Sequence, residues 1–374
     1  MKKRVVIVGF GDTGMLAAIN LGNDVDITGI SPKPCLVSGQ ELGLRLTQPT
    51  SWKRDYVVPF RRYKKLDNVS VHQGLVSAID IKKQCVVFAS ADGSQQQLDY
   101  DVLILSPGVS NGFWRQSGIE DLNSINQNIE SKASQLGSAN TIAIIGGGAT
   151  GVSVASNLAE RSPNKPVHLF YSHSQPLPGY HPKVRDSIER HLNRSGVILH
   201  PQHRAIIPPG FNCDEITSDA IEWTTGQTAF QADVSLWAIG KMKPNNDCIP
   251  SEMLDQQGFI KTDDYLRVPG HDNIFTVGDI AASDANRSSA RNGGYRLVAR
   301  NINAYLANTP EMMMKYQAPH YRWGSILGVQ NDGLRVYQTD GTKFRFPSWS
   351  IRTILLPLLV RKNIYQGMRK SKLV

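Results

Sequence analysis

The chain has 374 residues, room for two or three domains. Hydrophobic residues make up 40% and charged residues 20%, which excludes a disordered or fibrous chain and fits a globular protein. The net charge is +9, yet Lys343, Arg345, Arg352, Arg361, Lys362, Arg369, Lys370 and Lys372 carry nearly all of it: no acid lies between Gly341 and Val374, and the rest holds 33 basic against 32 acidic residues. The basicity therefore asks for an explanation in the tail alone.

Met1 to Arg4 begins basic, but Val5–Val8 is too short for the apolar core of a secretory signal. Lys2 leaves no myristoylation signal, and no apolar run approaches the ~18 residues that span a bilayer. Cys35, Cys85, Cys213 and Cys248 are too scattered for a CxxC dithiol or a cysteine-ligated zinc site, and are expected to be buried small hydrophobes in a reducing cytosol.

Residues 4–8 read as a buried parallel strand. Gly9-Phe10-Gly11-Asp12-Thr13-Gly14 follows, then a helical stretch through Leu21 and a second strand over Val25 to Ile30. This is a βαβ unit with G-x-G-x-x-G at its first turn. Gly9 permits the tight turn, Gly11 lets backbone approach a pyrophosphate, and Gly14 lets helix and strand pack closely. The second strand should end in an acid for a ribose hydroxyl. Here it ends in Ser31-Pro32-Lys33, so Ser31 offers one hydrogen bond without charge.

Thr141 to Ile145 is a second such strand. It leads into Gly146-Gly147-Gly148-Ala149-Thr150-Gly151, an apolar helix through Leu158 and a strand over Val167 to Tyr171. Two fingerprints, each between strand and helix, resemble flavoproteins that bind two dinucleotides: FAD on the first unit and NAD(P)H on an inserted second one. The second unit has Ser153 where related flavoenzymes usually have Glu. Its strand ends in Ser172-His173, with neither an acid nor an Arg to select the coenzyme. The lack of a basic cluster favours NADH.

Tyr100 to Gly108 is similar to the strand that closes the first FAD half, with Ser106-Pro107 replacing Ala-Thr. Leu236 to Gly240 resembles the exit from the NAD(P)H unit. Asn273 to Asp279 resembles the second FAD fingerprint, with Gly278 at its turn. Gly293 to Tyr305 reads as a helix whose N-terminus, in such proteins, points at the flavin pyrimidine.

Taken together the chain resembles the apoptosis-inducing-factor and type II NADH dehydrogenase group, most of all its ferroptosis-suppressor branch. Leu44-Arg45, Gln73-Gly74-Leu75-Val76 with Ile79-Asp80, Gly278-Asp279, Asn331-Asp332-Gly333 and the basic end carry the resemblance. It implies that Arg45 lies against FAD, that Val76 meets adenine through its backbone and that Asp279 binds the ribityl chain. The implied fold is α/β: two Rossmann-like dinucleotide-binding domains plus a smaller α+β C-terminal region. The FAD-binding domain would take residues 1–108 and 241–305, the NAD(P)H-binding domain 109–240 and the C-terminal region 306–374.

The group's acceptors are quinones or artificial ones, so an NAD(P)H:quinone oxidoreductase is the leading expectation. A soluble reductase of a small iron–sulfur protein, or a low-turnover redox-sensing or nucleic-acid-binding flavoprotein, are the alternatives. Hydride transfer to a flavin needs no protein nucleophile, so no catalytic residue is named. His168, His173, His181, His191, His200 and His203 match no metal spacing and read as scattered surface histidines. In the tail, Trp349, Ile351, Ile354, Leu355, Leu358 and Leu359 share one helical face, with Pro357 bending it. With the flanking cations this suits a peripheral segment on an anionic inner leaflet of a cytoplasmic protein; packing on the FAD unit or a homodimer contact is the alternative. The aliphatics argue against nucleic acid.

Overall fold

The computed structural model describes residues 1–211, 213–239 and 242–370. The larger sheet is built on β1 (Lys3–Val8), β2 (Val25–Ser31), β3 (Val69–Asp80), β4 (Cys85–Ser90), β5 (Gln95–Asp99), β6 (Val102–Leu105) and β12 (Ile274–Thr276). Its order is β12-β6-β1-β2-β3-β4-β5. The five strands from β12 to β3 run parallel, and the β3–β5 meander is antiparallel. The central strands, β1 over Val5–Val8 and β6, are continuous apolar runs because both faces are covered. Helices α1 (Asp12–Leu21) and α7 (Gly294–Leu306) pack on one face, where Val5, Ile7, Val102 and Ile104 meet Met15 and Val298. Val6, Val8, Leu103 and Leu105 face the other core. Strand order reverses between β1 and β6, which opens a crevice at their C-terminal ends.

The second sheet comprises β7 (Ile142–Ile145), β8 (Val167–Phe170), β9 (Ile198–His200), β10 (Ile216–Thr217) and β11 (Val234–Trp237), in the order β9-β8-β7-β11-β10. All pairs are parallel except β10 with β11. Helices α4 (Leu122–Ser138), α5 (Ala149–Arg161) and α6 (Pro182–Arg194) belong to this half. Helices α2 (Leu42–Thr47) and α3 (Pro49–Tyr56) belong to the first half, and α2 packs on α5. A third sheet, β13 (Val329–Gln330), β14 (Gly333–Tyr337) and β15 (Lys343–Phe346), turns at Asn331-Asp332.

Two expectations need correcting. The histidines are not all scattered over the surface: His168, His200 and His203 gather with Phe170, Trp223 and Phe230 behind the second sheet. His200 stacks on Phe170 with centroids 4.1 Å apart, and its Nε2 lies 2.9 Å from His168 Nδ1. Aromatic rings on neighbouring strands share a face there, which spacing along the chain does not reveal.

The terminal helix, Ile351–Ile364, winds as a π-helix rather than an α-helix, and the apolar residues expected on one face divide between an inward and an outward side. Ile351 turns inward, and Val360, Ile364 and Met368 pack against the α1 and α7 core. Tyr365 meets Tyr63 edge to face at 4.9 Å, and Arg369 pairs with Asp67 at 2.6 Å. Trp349, Ile354, Leu358 and Leu359 point outward.

Candidate functional site

The two glycine turns share one steric logic. Gly9 has φ +89°, and a Cβ there would strike the carbonyl of Ser106; a Cβ at Gly14 would strike the Gly9 carbonyl. Gly146 (φ +127°) and Gly151 repeat both relations, against Ala238 and Gly146. At the middle glycines the surroundings reverse. A Cβ at Gly11 or Gly148 meets nothing within 4 Å, so these backbones stand open to a ligand that must come close, as a pyrophosphate does. The turns thus pass a test of fit for two dinucleotides.

One cavity of about 800 Å³ lies at the ends of β1, β2 and β6, between the start of α5 and the segment Pro319–Gly328. Of the residues singled out in the sequence, Gly9, Gly11, Asp12, Thr13, Ser31, Val76, Gly108, Ala149, Thr150, Gly278 and Asp279 line it. Gly14, Gly146, Gly148 and Gly151 do not line it. Gly240 lies outside the described residues.

Arg45 is also absent from the lining. It is buried, and its guanidinium donates to the carbonyl of Trp114 at 2.8 Å and to Asn128 Oδ1 at 3.2 Å, between the rings of Trp52 and Trp114. Burial draws its pKa down to about 10. The side chain ties α2 to the loop that enters the second half.

The charges come largely from residues without a motif. Arg115 lines the cavity and donates to Asp279 Oδ2 at 2.6 Å. Asp12 accepts from Ser38 Oγ at 3.0 Å and from the Gly39 amide at 3.0 Å; burial pushes its pKa up, against the pull of these donors and of Arg115. At the end of β2, where no acid follows in sequence, Glu120 arrives from a distant loop and pairs with Lys33 at 2.9 Å. Ser31 is buried and its Oγ accepts the Lys33 amide at 3.1 Å. None of these contacts leaves a local signal in the sequence.

Glu41 also lines the cavity. It is non-glycine with φ +54°, and its Oε2 accepts the Val329 amide at 3.0 Å. Next to it, α2 lies so close on α5 that a Cβ at Gly43 would be 2.7 Å from Ser153 Oγ. A glutamate at 153 would not fit this contact without movement.

All four cysteines are unbonded. Cys35 and Cys248 line the cavity, but burial pushes both thiols up to about 11, so neither supplies a thiolate at neutral pH.

A family model described as pyridine nucleotide-disulphide oxidoreductase matches residues 3–304. The chain belongs to that family. It is similar to the oxidoreductase ptaL of Pestalotiopsis fici, 25% identical over 77% of this chain and 74% of that one. It is equally similar to ferroptosis suppressor protein 1 of Xenopus laevis, 25% identical over 83% of this chain and 85% of its relative. Its fold is that of NDH2 from Plasmodium falciparum, solved in complex with NADH, with TM-score 0.73 over 98% and 96% of the two chains at 13% identity. The chain is accordingly an FAD-dependent NAD(P)H oxidoreductase, with FAD as cofactor and NAD(P)H as co-substrate.

Proposed function

We propose that this oxidoreductase delivers its electrons to a quinone-type acceptor at a membrane surface. The observation that carries the reading is that one cavity is reached at once by the first glycine turn, by the start of α5 and by the C-terminal segment. A donor, a carrier and an acceptor can be apposed there without a redox dithiol.

Bound FAD would supply a two-electron carrier that takes a hydride from the nicotinamide. The chain's part is to hold and orient. Gly9, Gly11, Asp12, Thr13 and Gly14 present backbone and the α1 N-terminus to the FAD pyrophosphate. Val76 and Ser31 lie where the adenosine would extend, and Asp279 would hold the ribityl chain. Gly108 and Gly278 let backbone pass close by. Gly146, Gly148, Ala149, Thr150 and Gly151 take the coenzyme pyrophosphate, and Gly240 belongs to the same unit in sequence. We place the FAD-binding domain at 1–108 and 241–305, the NAD(P)H-binding domain at 109–240, and a C-terminal region after 305.

The outer face of the terminal helix supports the membrane part. Trp349 is 68% exposed and Leu358 51%, with Arg352 and Lys362 exposed beside them. An apolar strip with flanking cations suits an anionic leaflet. Among the described residues no helix is long and apolar enough to cross a membrane, so the contact is with a surface.

The test begins with the absorbance of the purified protein, which should show oxidised flavin and bleach on anaerobic addition of NADH. A water-soluble quinone should then restore the colour and sustain turnover, faster than a ferredoxin or rubredoxin does. Bleaching with preferred transfer to the iron–sulfur protein would overturn the quinone reading and leave the flavoenzyme intact.

A further inference from the structure

Four carboxylates line the cavity: Asp12, Glu41, Asp247 and Asp279. Three are committed or outside. Asp12 accepts at both oxygens, from Ser38 and Gly39. Asp279 is paired with Arg115. Asp247 is exposed. Glu41 differs, because its Oε2 takes one backbone amide while, among the described residues, nothing donates to its Oε1. It sits where α2, α5 and the segment at Gly328 converge, close enough that a Cβ on Gly328 would strike its carboxylate. Its left-handed backbone, costly for a residue with a side chain, holds it there.

We propose that Glu41 delivers the proton that completes reduction of the acceptor. The inference rests on the quinone reading above. A hydride from NAD(P)H carries two electrons and one proton. Conversion of a quinone to a quinol takes two electrons and two protons: both C=O π bonds break and two O–H bonds form. The second proton must cross the protein. Glu41 O–H breaks as the quinol O–H forms, and a proton taken up from bulk solvent then restores the carboxyl group, so that one solvent proton is consumed per quinol.

The groups around Glu41 are compatible with that cycle. Arg161 of α5 favours the charged form, while Tyr56 of α3 stays neutral because burial holds its hydroxyl far above the usual range. Burial is the larger influence on Glu41 and raises its pKa, which keeps a proton available nearer to neutral pH.

The test is Glu41→Gln, whose carbonyl can still accept the Val329 amide but which carries no transferable proton. Quinone-dependent turnover should fall about 100-fold, the usual scale of general acid catalysis. Flavin bleaching by NADH should be retained, as should turnover with ferricyanide, which takes electrons without protons. Wild-type quinone turnover should fall as pH rises through the ionisation of Glu41, while ferricyanide turnover should not. A readout independent of turnover is the infrared band of a protonated carboxyl in wild-type apoprotein, which Glu41→Gln should remove. Unchanged quinone turnover in the variant, or equal loss with both acceptors, would overturn the proposal. Failure of NADH-bleached wild type to be reoxidised by the quinone, with transfer to the iron–sulfur protein instead, would overturn the reading beneath it.

Discussion

The two glycine turns have nearly the same shape and quite different surroundings. Around the first lie Asp12, the Arg115–Asp279 pair and the Lys33–Glu120 pair, and Gly278 folds in so tightly that a Cβ there would be 3.2 Å from Thr13 Oγ1. The second opens into α5, whose first turn carries no acid, and its three fingerprint glycines stay off the main cavity wall. Shape fits each turn to a dinucleotide; charge and enclosure set how firmly one would be held. A site sealed by polar pairs from three parts of the chain suits a cofactor that stays. A site with an open approach suits a coenzyme that must leave each cycle.

The sharpest way to break this comparison is to place the same residue in both turns. Gly11→Val and Gly148→Val each add a side chain where the apoprotein has free space, so both variants should fold. Losing one or two charge-assisted hydrogen bonds to phosphate, at about 1.5–3 kcal/mol each, is a loss of about 10- to 100-fold or more in affinity. Gly11→Val should therefore be purified without flavin colour and without activity. Gly148→Val should keep its FAD, with the NAD(P)H KM raised about tenfold or more. Flavin spectra and steady-state kinetics of the pair decide it. A colourless Gly148→Val, or a yellow Gly11→Val, would show that the turns have been assigned to the wrong dinucleotides.

What could be read in advance follows the range of the interactions. Both turns were legible because strand, glycine spacing and helix are contiguous, and the close approach at Gly14 and Gly151 is to Gly9 and Gly146 in the same turn. Arg115, Glu120 and Glu41 were not, because each gains its place only when distant segments meet and none sits in a repeating pattern. The surroundings of Arg45 were likewise out of reach, because its guanidinium donates to the carbonyls of Phe113 and Trp114, some seventy residues on. The terminal helix departs from its expected periodicity in part, since the wider π winding turns Ile351 inward while Trp349, Ile354, Leu358 and Leu359 stay outward.

That helix gives a second contrast, between its inward and outward faces. Removing it whole would mix the two, because Val360, Ile364 and Tyr365 help close the core around α1. Point changes separate them. The double variant Trp349→Ser, Leu358→Ser alters only exposed side chains. Each large apolar side chain inserted in lipid contributes about 1.5–3 kcal/mol, so the variant should bind anionic vesicles about tenfold more weakly or worse. Its flavin content and thermal midpoint should match the wild type. High salt should release the wild type only in part, since the apolar contribution is not screened. Equal co-sedimentation of variant and wild type would remove the membrane from the proposal.

The smallest expected effect separates the two halves by their cores. The core under α1 and α7 is built from apolar side chains such as Met15 and Val298, whereas the second half has the His168–His200–His203 seam against Phe170 and Trp223. Burial lowers the His200 pKa to about 4, with His168 and His203 adding repulsion. A histidine held below its ordinary value contributes stability above about pH 6.5, and that contribution is lost as pH falls towards 4. Because the group is partly exposed, the contribution is discounted to about 1 kcal/mol. Replacing His200 with Phe keeps a ring on Phe170 and removes the titrating nitrogen. Its stability at pH 7 should drop slightly for want of the His168 hydrogen bond. Between pH 7 and pH 4.5 it should then lose less than the wild type does, measured by denaturant unfolding followed through the tryptophan fluorescence of the second half. Parallel pH curves for the two proteins would mean that the seam does not titrate in this range, and that acid weakens both halves through their carboxylates alone.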